Sequence, residues 1–253
     1  MKKTMLVSAL AASALFMGTN ASAAVISLVN SGFETGNLSG WTTLGAVAAT
    51  PSTSVTTFDG TVWTIGAAGT TMAQLNPSIG VASIESALGL AAGSLNALNT
   101  NPNGGSLTDG AAIYQSFSGN AGDTLSMAWD YVATDYVPFN DPAFAIIINP
   151  DLSASITVLA SIHGLGIPVG TSGHSGWQTF GQTLSQSGTH TIAFVTTNDK
   201  DTILDSVLFL DNTAGTCEPT CPPPVNGVPE PGSLALLGLG LLGLGALRRR
   251  KMA

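Results

Sequence analysis

Acidic residues are the first candidates for chemistry in this chain, because several lie close together in sequence. Asp199, Asp201 and Asp205 fall within one short segment, and Asp135 and Asp141 flank another. Carboxylates that lack basic partners are either solvated in loops or share a cation. Hard oxygen donors suit Ca²⁺. The spacing alone leaves both alternatives open.

Patterns typical of enzymes are weak in this sequence. Gly173-His174-Ser175-Gly176 begins like the nucleophile elbow of hydrolases, but Trp177 occupies the position of the final glycine. Asp130, Asp135 and Asp141 are the candidates for two-carboxylate glycosidase chemistry, yet they read as ordinary strand-end and loop acids. The sequence therefore predicts a protein that is not an enzyme, with no catalytic residues.

Aromatic side chains are candidates for sugar binding, because an exposed ring stacks on the apolar face of a sugar. Only 6 % of the residues are aromatic, which favours a structural role over a defined sugar site. Tyr136 is the predicted ligand-binding residue, because Asp135 and Pro138 place it in a loop. The rings considered are Trp41, Trp63, Tyr131, Tyr136 and Trp177, of which Trp41 and Trp177 are expected in the core.

The charge distribution excludes several classes of partner. The chain has 15 acidic residues and 7 basic ones, and only Lys200 among the basic residues lies away from the two ends. A surface this acidic disfavours nucleic acid, whose phosphates require Lys and Arg. It also disfavours docking on anionic lipid. We expect no nucleic-acid partner.

The elements that must position these side chains are mainly strands. Residues 24–211 have the size of one domain and are rich in Gly, Ser, Thr and Asn turns. Short extended segments between such turns predict an all-β, antiparallel β-sandwich. In 189–196, for example, Ile192 and Phe194 share one face. The extended segments are 24–29, 62–65, 111–117, 124–132, 143–149, 155–162, 177–184, 189–196 and 203–210.

One segment departs from the strand pattern. In residues 81–98, apolar residues such as Ile84 and Leu88 recur at helical spacing. This pattern predicts a small helical insertion packed on the sandwich, as one helix or as two short ones broken near Gly89 or Gly93.

The N-terminus has the pattern of a secretory signal peptide over residues 1–23. Lys2 and Lys3 precede an apolar run at 5–17, and Ala21-Ser22-Ala23 fits the rule for signal cleavage. We therefore expect a signal helix that is removed, a mature chain starting at Ala24, and export through the secretory pathway.

A Pro-rich linker is predicted at residues 212–227. Prolines at 219 and 222–224 are typical of a semi-rigid, extended spacer. Cys217 and Cys221 lie within it, and in an oxidising compartment they are expected to form a local disulfide or to remain a pair of free thiols. No His or second Cys pair supports a metal or redox role.

The C-terminal apolar run predicts a single transmembrane helix at about 231–247. Its 17 residues span about 25 Å as a helix, slightly short of a bilayer, and flanking arginines can cover the difference. The basic stop consists of Arg248, Arg249, Arg250 and Lys251. The positive-inside rule places this stop in the cytoplasm and the rest of the chain outside.

The same C-terminus, residues 228–253, resembles the PEP-CTERM sorting signal of Gram-negative bacteria. The matching features are Val228, Pro229, Glu230 and Pro231, then the Leu/Gly-rich helix, then the arginine cluster. The resemblance implies processing by exosortase near the Pro-Glu-Pro motif. It also implies a single-pass stage in the inner membrane, followed by delivery to the cell surface or to an exopolysaccharide matrix. An ordinary membrane anchor on a Pro-rich stalk is the alternative.

Two further segments, 30–41 and 205–212, resemble the beginning and end of jelly-roll, galactose-binding-like modules. The resemblance implies a jelly-roll-like sandwich whose first and last strands lie side by side and share a structural calcium ion. Carried over by position, the ligands are Glu34 and Asp211, with Asp205 as a further candidate.

These observations leave two functions open. The first is an exported, non-catalytic structural protein of the cell surface or extracellular matrix, of the kind found in biofilms and associated with exopolysaccharide. The alternative is a carbohydrate-binding module with defined glycan specificity.

Overall fold

The computed structural model describes residues 23–213 and the backbone of residues 216–218. The predicted signal peptide before residue 23, the transmembrane helix, the sorting motif and the Cys217–Cys221 disulfide lie outside the described side chains. Within the described part of the chain, no helix has the length and apolar character needed to cross a membrane.

The described residues form mostly β-structure. The strands are β1 (Thr42–Leu44), β2 (Ala46–Thr50), β3 (Thr53–Thr56), β4 (Val62–Gly66), β5 (Met72–Asn76), β6 (Ile79–Gly80), β7 (Leu107–Gly119), β8 (Thr124–Val132), β9 (Ala143–Ile148), β10 (Ala154–Ser161), β11 (Ile167–Pro168), β12 (Gln178–Thr183), β13 (Gly188–Asp199), β14 (Val207–Asp211) and β15 (Thr216–Glu218).

Two sheets pack face to face. One has the order β1-β7-β13-β9-β10-β11, with β6 paired to β7, and the other has the order β12-β8-β14-β5-β2. The pairings are antiparallel apart from β10 with β11. Apolar residues from both sheets, such as Ile113, Phe194, Trp129 and Leu208, form the core between them. The predicted antiparallel β-sandwich is therefore confirmed.

The sheet built around β7 and β13 is covered on both faces. Ile113 and Phe194 face the opposite sheet, whereas their neighbours Ala112 and Val195 pack beneath the helical insertion. Because successive residues of a strand point to opposite faces, a strand buried on both sides is apolar at consecutive positions. This explains the unbroken run Ala143–Ile148.

The helical insertion follows the prediction. It consists of α1 (Val81–Ala87) and a 3₁₀ turn (Asn96–Leu98), separated by Gly89 and Gly93 in the left-handed region at φ 69° and 81°. The Glu85 carboxylate, which is buried, accepts hydrogen bonds from the backbone N–H of Gly93 and Leu95 at 2.8 Å each. These bonds fix the path of the chain through the break.

Several segments differ from the sequence-based expectation, and strands β1, β2, β3, β5, β6 and β11 lie outside the predicted ranges. Residues 24–29 contribute only an isolated bridge at Val25, and β14 begins at Val207 rather than at residue 203. Lys200 and Leu204 adopt positive φ, so the chain loops before β14 and leaves Ile203 exposed. Within the range predicted as linker, β15 pairs with β4, which also pairs with β3, in a small third sheet.

Candidate functional site

The two acids predicted to bind calcium, from opposite ends of the domain sequence, contact the same loop. Asp211 accepts hydrogen bonds from the backbone N–H of Ala68 at 2.9 Å and of Asn212 at 2.7 Å. Glu34 accepts from the N–H and the hydroxyl of Thr70, at 2.9 and 2.8 Å. Both carboxylates therefore bind the same β4–β5 loop. The hydrogen bonds from Thr70 lower the pKa of Glu34, whereas burial raises the pKa of Asp211 and the charge of Glu34 adds to that rise.

Asp205 does not belong to this pair. It precedes β14, whereas Asp211 ends it, and at about 3.3 Å per residue the two lie roughly 20 Å apart. One ion therefore cannot contact both. Among the described residues, no group of three His, Cys, Asp or Glu side chains is placed to hold a metal. The carboxylates of Glu34 and Asp211 retain free lone pairs and match the charge of one Ca²⁺, with loop carbonyls or water left to complete its coordination.

The predicted ligand-binding residue Tyr136 lies in an exposed aromatic cluster. Its ring centroid is 4.5 Å from that of Phe58 and 5.3 Å from that of Phe139, the second contact being edge-on. Phe58 is 45 % exposed, Tyr136 36 % and Val137 47 %. We call Phe58, Tyr136, Val137 and Phe139 the aromatic loop surface. It presents two adjoining rings to solvent.

Hydrogen bonds hold the two loops of this surface together. The backbone N–H of Phe58 donates to the Thr134 carbonyl, and the N–H of Phe139 donates to the Tyr136 carbonyl, both at 2.9 Å. The β3–β4 turn is closed by Asp59, which accepts from the Thr57 hydroxyl at 2.7 Å. The rings are therefore placed before any ligand arrives, which lowers the entropic cost of binding.

Two carboxylates, those of Asp59 and Asp135, flank the aromatic loop surface and differ in pKa. Hydrogen bonds from Thr57 and Thr61 lower the pKa of Asp59 to about 2, so it is charged at every physiological pH. Burial raises the pKa of Asp135 to about 6, although the N–H of Tyr136 donates to it. Asp59 is exposed beside the rings, whereas Asp135 is only 2 % exposed, so Asp59 is the carboxylate that a ligand can reach.

The hydrolase-like segment is buried and is not arranged as a Ser–His dyad. His174 Nε2 lies 2.7 Å from Asp130 Oδ1, with both side chains inaccessible to solvent. The Ser175 hydroxyl donates to Asp130 at 3.2 Å and to the Gly176 carbonyl at 2.8 Å. The ring of Trp63 covers His174 at a centroid distance of 4.7 Å. This cluster anchors the loop before β12 to β8.

The remaining catalytic candidates are also enclosed. Asp130, Asp135 and Asp141 are each at most 2 % exposed, so none of them lines an open cleft. Asp141 accepts hydrogen bonds from the Asp199 N–H and the Ser206 hydroxyl, at 2.8 and 2.9 Å, while its burial raises the pKa. These acids hold loops to the sandwich.

The tryptophans expected in the core are buried, but the sequence analysis missed one exposed ring, that of Phe58. Trp41 and Trp177 are buried as expected, and Tyr131 is buried as well. Phe58 escaped notice because a lone aromatic residue in a turn has no periodicity. The signal was present in Phe58-Asp59-Gly60, a turn sequence that holds its first side chain at the surface.

Fold and surface together define a class of protein: an antiparallel β-sandwich domain with exposed aromatic loops, carried ahead of a C-terminal sorting segment. Residues 227–251 match the family model of the PEP-CTERM protein-sorting motif. The predicted sorting signal is therefore confirmed by an independent comparison. No curated protein matches the chain in sequence.

Several solved structures share parts of the β-architecture. TmCBM61 in complex with β-1,4-galactotriose is 13% identical at a TM-score of 0.40, covering 72% of this chain and 92% of that one. A carbohydrate-binding module of the β-sandwich superfamily is 13% identical at 0.36, covering 76% and 62%. The enzymatically active domain of bacteriophage CBA120 tailspike protein 4 is also 13% identical at 0.36, covering 74% and 20%. No functional inference follows from likenesses of this size.

Proposed function

We propose that this chain is an exported protein of the cell surface or extracellular matrix, sorted by exosortase and associated with exopolysaccharide without acting on it. Its β-sandwich is the part that reaches the matrix, and its aromatic loop surface is the part that contacts glycan. The alternative is a carbohydrate-binding module that recognises one defined glycan.

The contact between the tilted rings of Phe58 and Tyr136 carries this proposal. Two exposed rings in contact are costly in water unless a ligand covers them, and sugar rings offer apolar C–H faces of matching size. Asp59, which is exposed beside the rings, supplies an acceptor for sugar hydroxyls. Its negative charge favours neutral or amino sugars over acidic ones.

The position of the sorting motif supports the location. The motif occupies residues 227–251 and follows the sandwich, so a cleaved chain would release or transfer the whole β-domain. The Pro residues at 229 and 231 disfavour regular helix, so the motif is suited to enter a protease-like cleft in extended form.

Binding can be tested with the purified full chain and the polysaccharide of its own host. We expect saturable retention in an affinity gel, weakened about tenfold by Tyr136→Ala and by Phe58→Ala, because one ring contact contributes about 1–1.5 kcal/mol. Leu152→Ala is the matched control, since Leu152 is also apolar and exposed but lies in the β9–β10 turn.

A glycan array then separates the two functions. Weak retention across many neutral glycans fits a structural matrix protein. Strong binding to one glycan, lost in Tyr136→Ala, supports the module with defined specificity. Unchanged retention in both aromatic variants would remove the aromatic loop surface from the proposal.

Sorting is tested separately by mass spectrometry of the mature C-terminus, with and without exosortase. We expect the Arg-rich end to be missing only when exosortase is present. An intact end in both samples contradicts exosortase processing and leaves the glycan surface unaffected.

A structural calcium ion at Glu34 and Asp211 is part of the same proposal. Their convergence on the Ala68–Thr70 loop supports it. Elemental analysis of the full chain should find bound calcium that is lost in Glu34→Gln. The calcium proposal is contradicted if chelation leaves the melting temperature unchanged and no calcium is found bound. The Cys217–Cys221 disulfide is a further proposal, testable by thiol titration.

A further inference from the structure

The segment that begins the domain connects the two sheets, and we call residues 24–29 the N-terminal strap. At its start, the Ala24 carbonyl accepts a hydrogen bond from the Thr124 N–H at 2.8 Å. At its end, the Val29 N–H donates to the Gln115 side chain at 2.8 Å, and that side chain donates back to the Val29 carbonyl at 3.0 Å. Because Thr124 belongs to β8 and Gln115 to β7, the strap joins one sheet to the other.

A buried carboxylate holds the first nitrogen of the strap. Asp123 Oδ1 accepts a hydrogen bond from the Ala24 backbone nitrogen at 2.9 Å. Its Oδ2 accepts from the backbone N–H of Asn120 at 2.8 Å and from the Asn120 side chain at 3.4 Å. These hydrogen bonds, from Asn120 first and then from Ala24, lower the pKa of Asp123, so the carboxylate is charged at neutral pH. One of its two oxygens faces the nitrogen of Ala24.

The same nitrogen is the one that signal cleavage is expected to release. Ala21-Ser22-Ala23 fits the cleavage rule, which places the cut between Ala23 and Ala24. Both of these residues are exposed, so the bond between them lies at the surface. Before the cut, the Ala24 nitrogen is a neutral amide. After the cut it is an α-amine, which is protonated at neutral pH because its ordinary pKa is about 7.7–8.0.

We propose that removal of the signal peptide converts the hydrogen bond between Ala24 and Asp123 into an ion pair, which anchors the N-terminal strap. The step is the hydrolysis of one peptide bond by the peptidase of the secretory pathway. Water supplies the oxygen of the new Ala23 carboxylate and the two protons that turn the Ala24 N–H into an ammonium group. A hydrogen bond between two charged groups is stronger than one from a neutral amide.

The charges around this corner leave Asp123 to the new ammonium group. Within residues 23–213 the single Lys or Arg is Lys200, and its Nζ donates to a main-chain carbonyl in another loop at 3.1 Å. Two titratable side chains, Asp151 and His190, meet the neighbouring turn. Asp151 accepts from the Gln186 side chain at 2.8 Å, and His190 Nε2 lies 3.0 Å from the Gln186 carbonyl.

The anchor would form only in the exported, processed chain. It would hold Ile26 of the strap in place, whose side chain packs on the core between the sheets. Ile26 lies directly over Gly119, since a Cβ atom at residue 119 would come within 2.9 Å of Ile26 Cδ1. The inference depends on cleavage before Ala24, and it is independent of the proposed glycan and calcium sites.

The test uses the full chain, exported with its own signal peptide and purified in mild detergent. N-terminal sequencing first determines whether the mature chain starts at Ala24. Competitive acetylation over a range of pH, followed by mass spectrometry of the N-terminal peptide, then measures the pKa of the α-amine. We expect a pKa that is raised by roughly half a pH unit above its ordinary value. In Asp123→Asn it should return to the ordinary value, because the ammonium group loses its negative partner.

A second measurement compares the mature chain with a copy acetylated at Ala24. Acetylation at about pH 6.5 favours the α-amine over lysine and restores a neutral N–H, as in the precursor. At pH 7 we expect the free amine to melt roughly 1–3 °C above the acetylated copy. Because the folded pKa of the amine is raised, this advantage is complete below about pH 7.7 and is lost as pH rises towards about 10. Other titrating groups are common to both copies and cancel.

Matched variants assign the difference to Asp123. In Asp123→Asn the free and acetylated chains should melt together at every pH. In Asp151→Asn, which removes an exposed acid held by Ser153 and Gln186, the difference should persist.

Three results would overturn the proposal. The first is a mature chain that starts elsewhere, which sequencing detects before any titration. The second is an α-amine whose pKa is the same in the wild type and in Asp123→Asn. The third is a melting temperature that acetylation leaves unchanged at pH 7.

Discussion

The two ends of β14 carry acidic pairs of similar composition in different surroundings. At one end, Asp211 and Glu34 bind backbone N–H groups of the β4–β5 loop and of Asn212. At the other end, Asp205 accepts a hydrogen bond from the Asn198 amide at 2.8 Å, and Asp109 accepts one from the Thr108 hydroxyl at 3.2 Å. The first pair receives main-chain N–H groups, whereas the second receives side-chain donors, and the charge of Asp205 adds to the raised pKa of Asp109.

This difference shows that the surroundings of a carboxylate, and not its residue type, determine whether its charge is stabilised. Backbone N–H groups stabilise the charged form and lower the pKa of Glu34, whereas at Asp211 burial outweighs them and raises the pKa. An acid that meets another acid is destabilised until a cation or a proton arrives. The following three experiments test that contrast, beginning with the one of largest expected effect.

Replacing Asp211 and Asp205 in turn should show the difference between the two ends of β14 most clearly. Asp211→Ala leaves the N–H of Ala68 without its acceptor, and we expect the free energy of unfolding to fall by about 2–3 kcal/mol. Asp205→Ala, measured in EDTA, leaves the Asn198 Nδ2–H without its acceptor but removes a charge that repels Asp109, so its loss should be smaller, about 1 kcal/mol. Urea denaturation monitored by tryptophan fluorescence gives both values. Equal losses at the two ends would contradict the contrast.

The same contrast exists at the aromatic loop surface, between Asp59 and Asp135. Because burial raises the pKa of folded Asp135 to about 6, the unfolded chain loses this proton first, and stability falls as pH rises from about 4 through 6. Asp135→Asn should flatten this fall and stabilise the protein at pH 7 by about 1 kcal/mol, after allowance for solvent screening.

Melting curves between pH 4 and pH 7 measure this effect. Asp59→Asn is the control of opposite sign, since hydrogen bonds lower the pKa of Asp59 to about 2 and its charge is favourable throughout this range. A steeper pH dependence in Asp135→Asn than in the wild type would show that Asp135 is ionised in the folded protein.

The smallest effect is a change in the order of titration, without a measurable loss of stability. Glutamate normally titrates above aspartate. Here hydrogen bonds from Thr70 lower the pKa of Glu34, while burial raises that of Asp109. Carboxyl-carbon NMR in EDTA should therefore find the pKa values of Glu34 and Asp109 closer together than usual, or in reversed order. Values at the ordinary positions for both residues would remove the electrostatic basis of the contrast.

Much of the fold could be predicted from local patterns. The alternation of β8 gave its bounds, and Gly89 and Gly93 marked the break in the helical insertion. The strands that escaped prediction, such as β2 and β3, are short, rich in Thr and Ala, and partly exposed. Their pairing partners define them, because their own side chains carry little hydrophobic pattern.

The candidate site was less predictable. Tyr136 was recognised from its loop, but its contact with Phe58 depends on two loops that are distant in sequence. Asp205 was grouped with Asp211 because both flank one strand, and the extended geometry of that strand then separates them. Sequence proximity along a strand implies distance in space, since each residue adds about 3.3 Å.

The sequence by itself determined that the chain carries a sorting signal and an all-β domain. The sorting motif is a linear signal, and strand alternation is a local property, so neither requires contacts between distant residues. Only the tertiary structure decided which acids contact the same loop, which rings face solvent, and that the buried Asn198 amide donates to Asp205. Those relations arise from the register of β7 with β13 and from the packing of the loops, which no segment specifies alone.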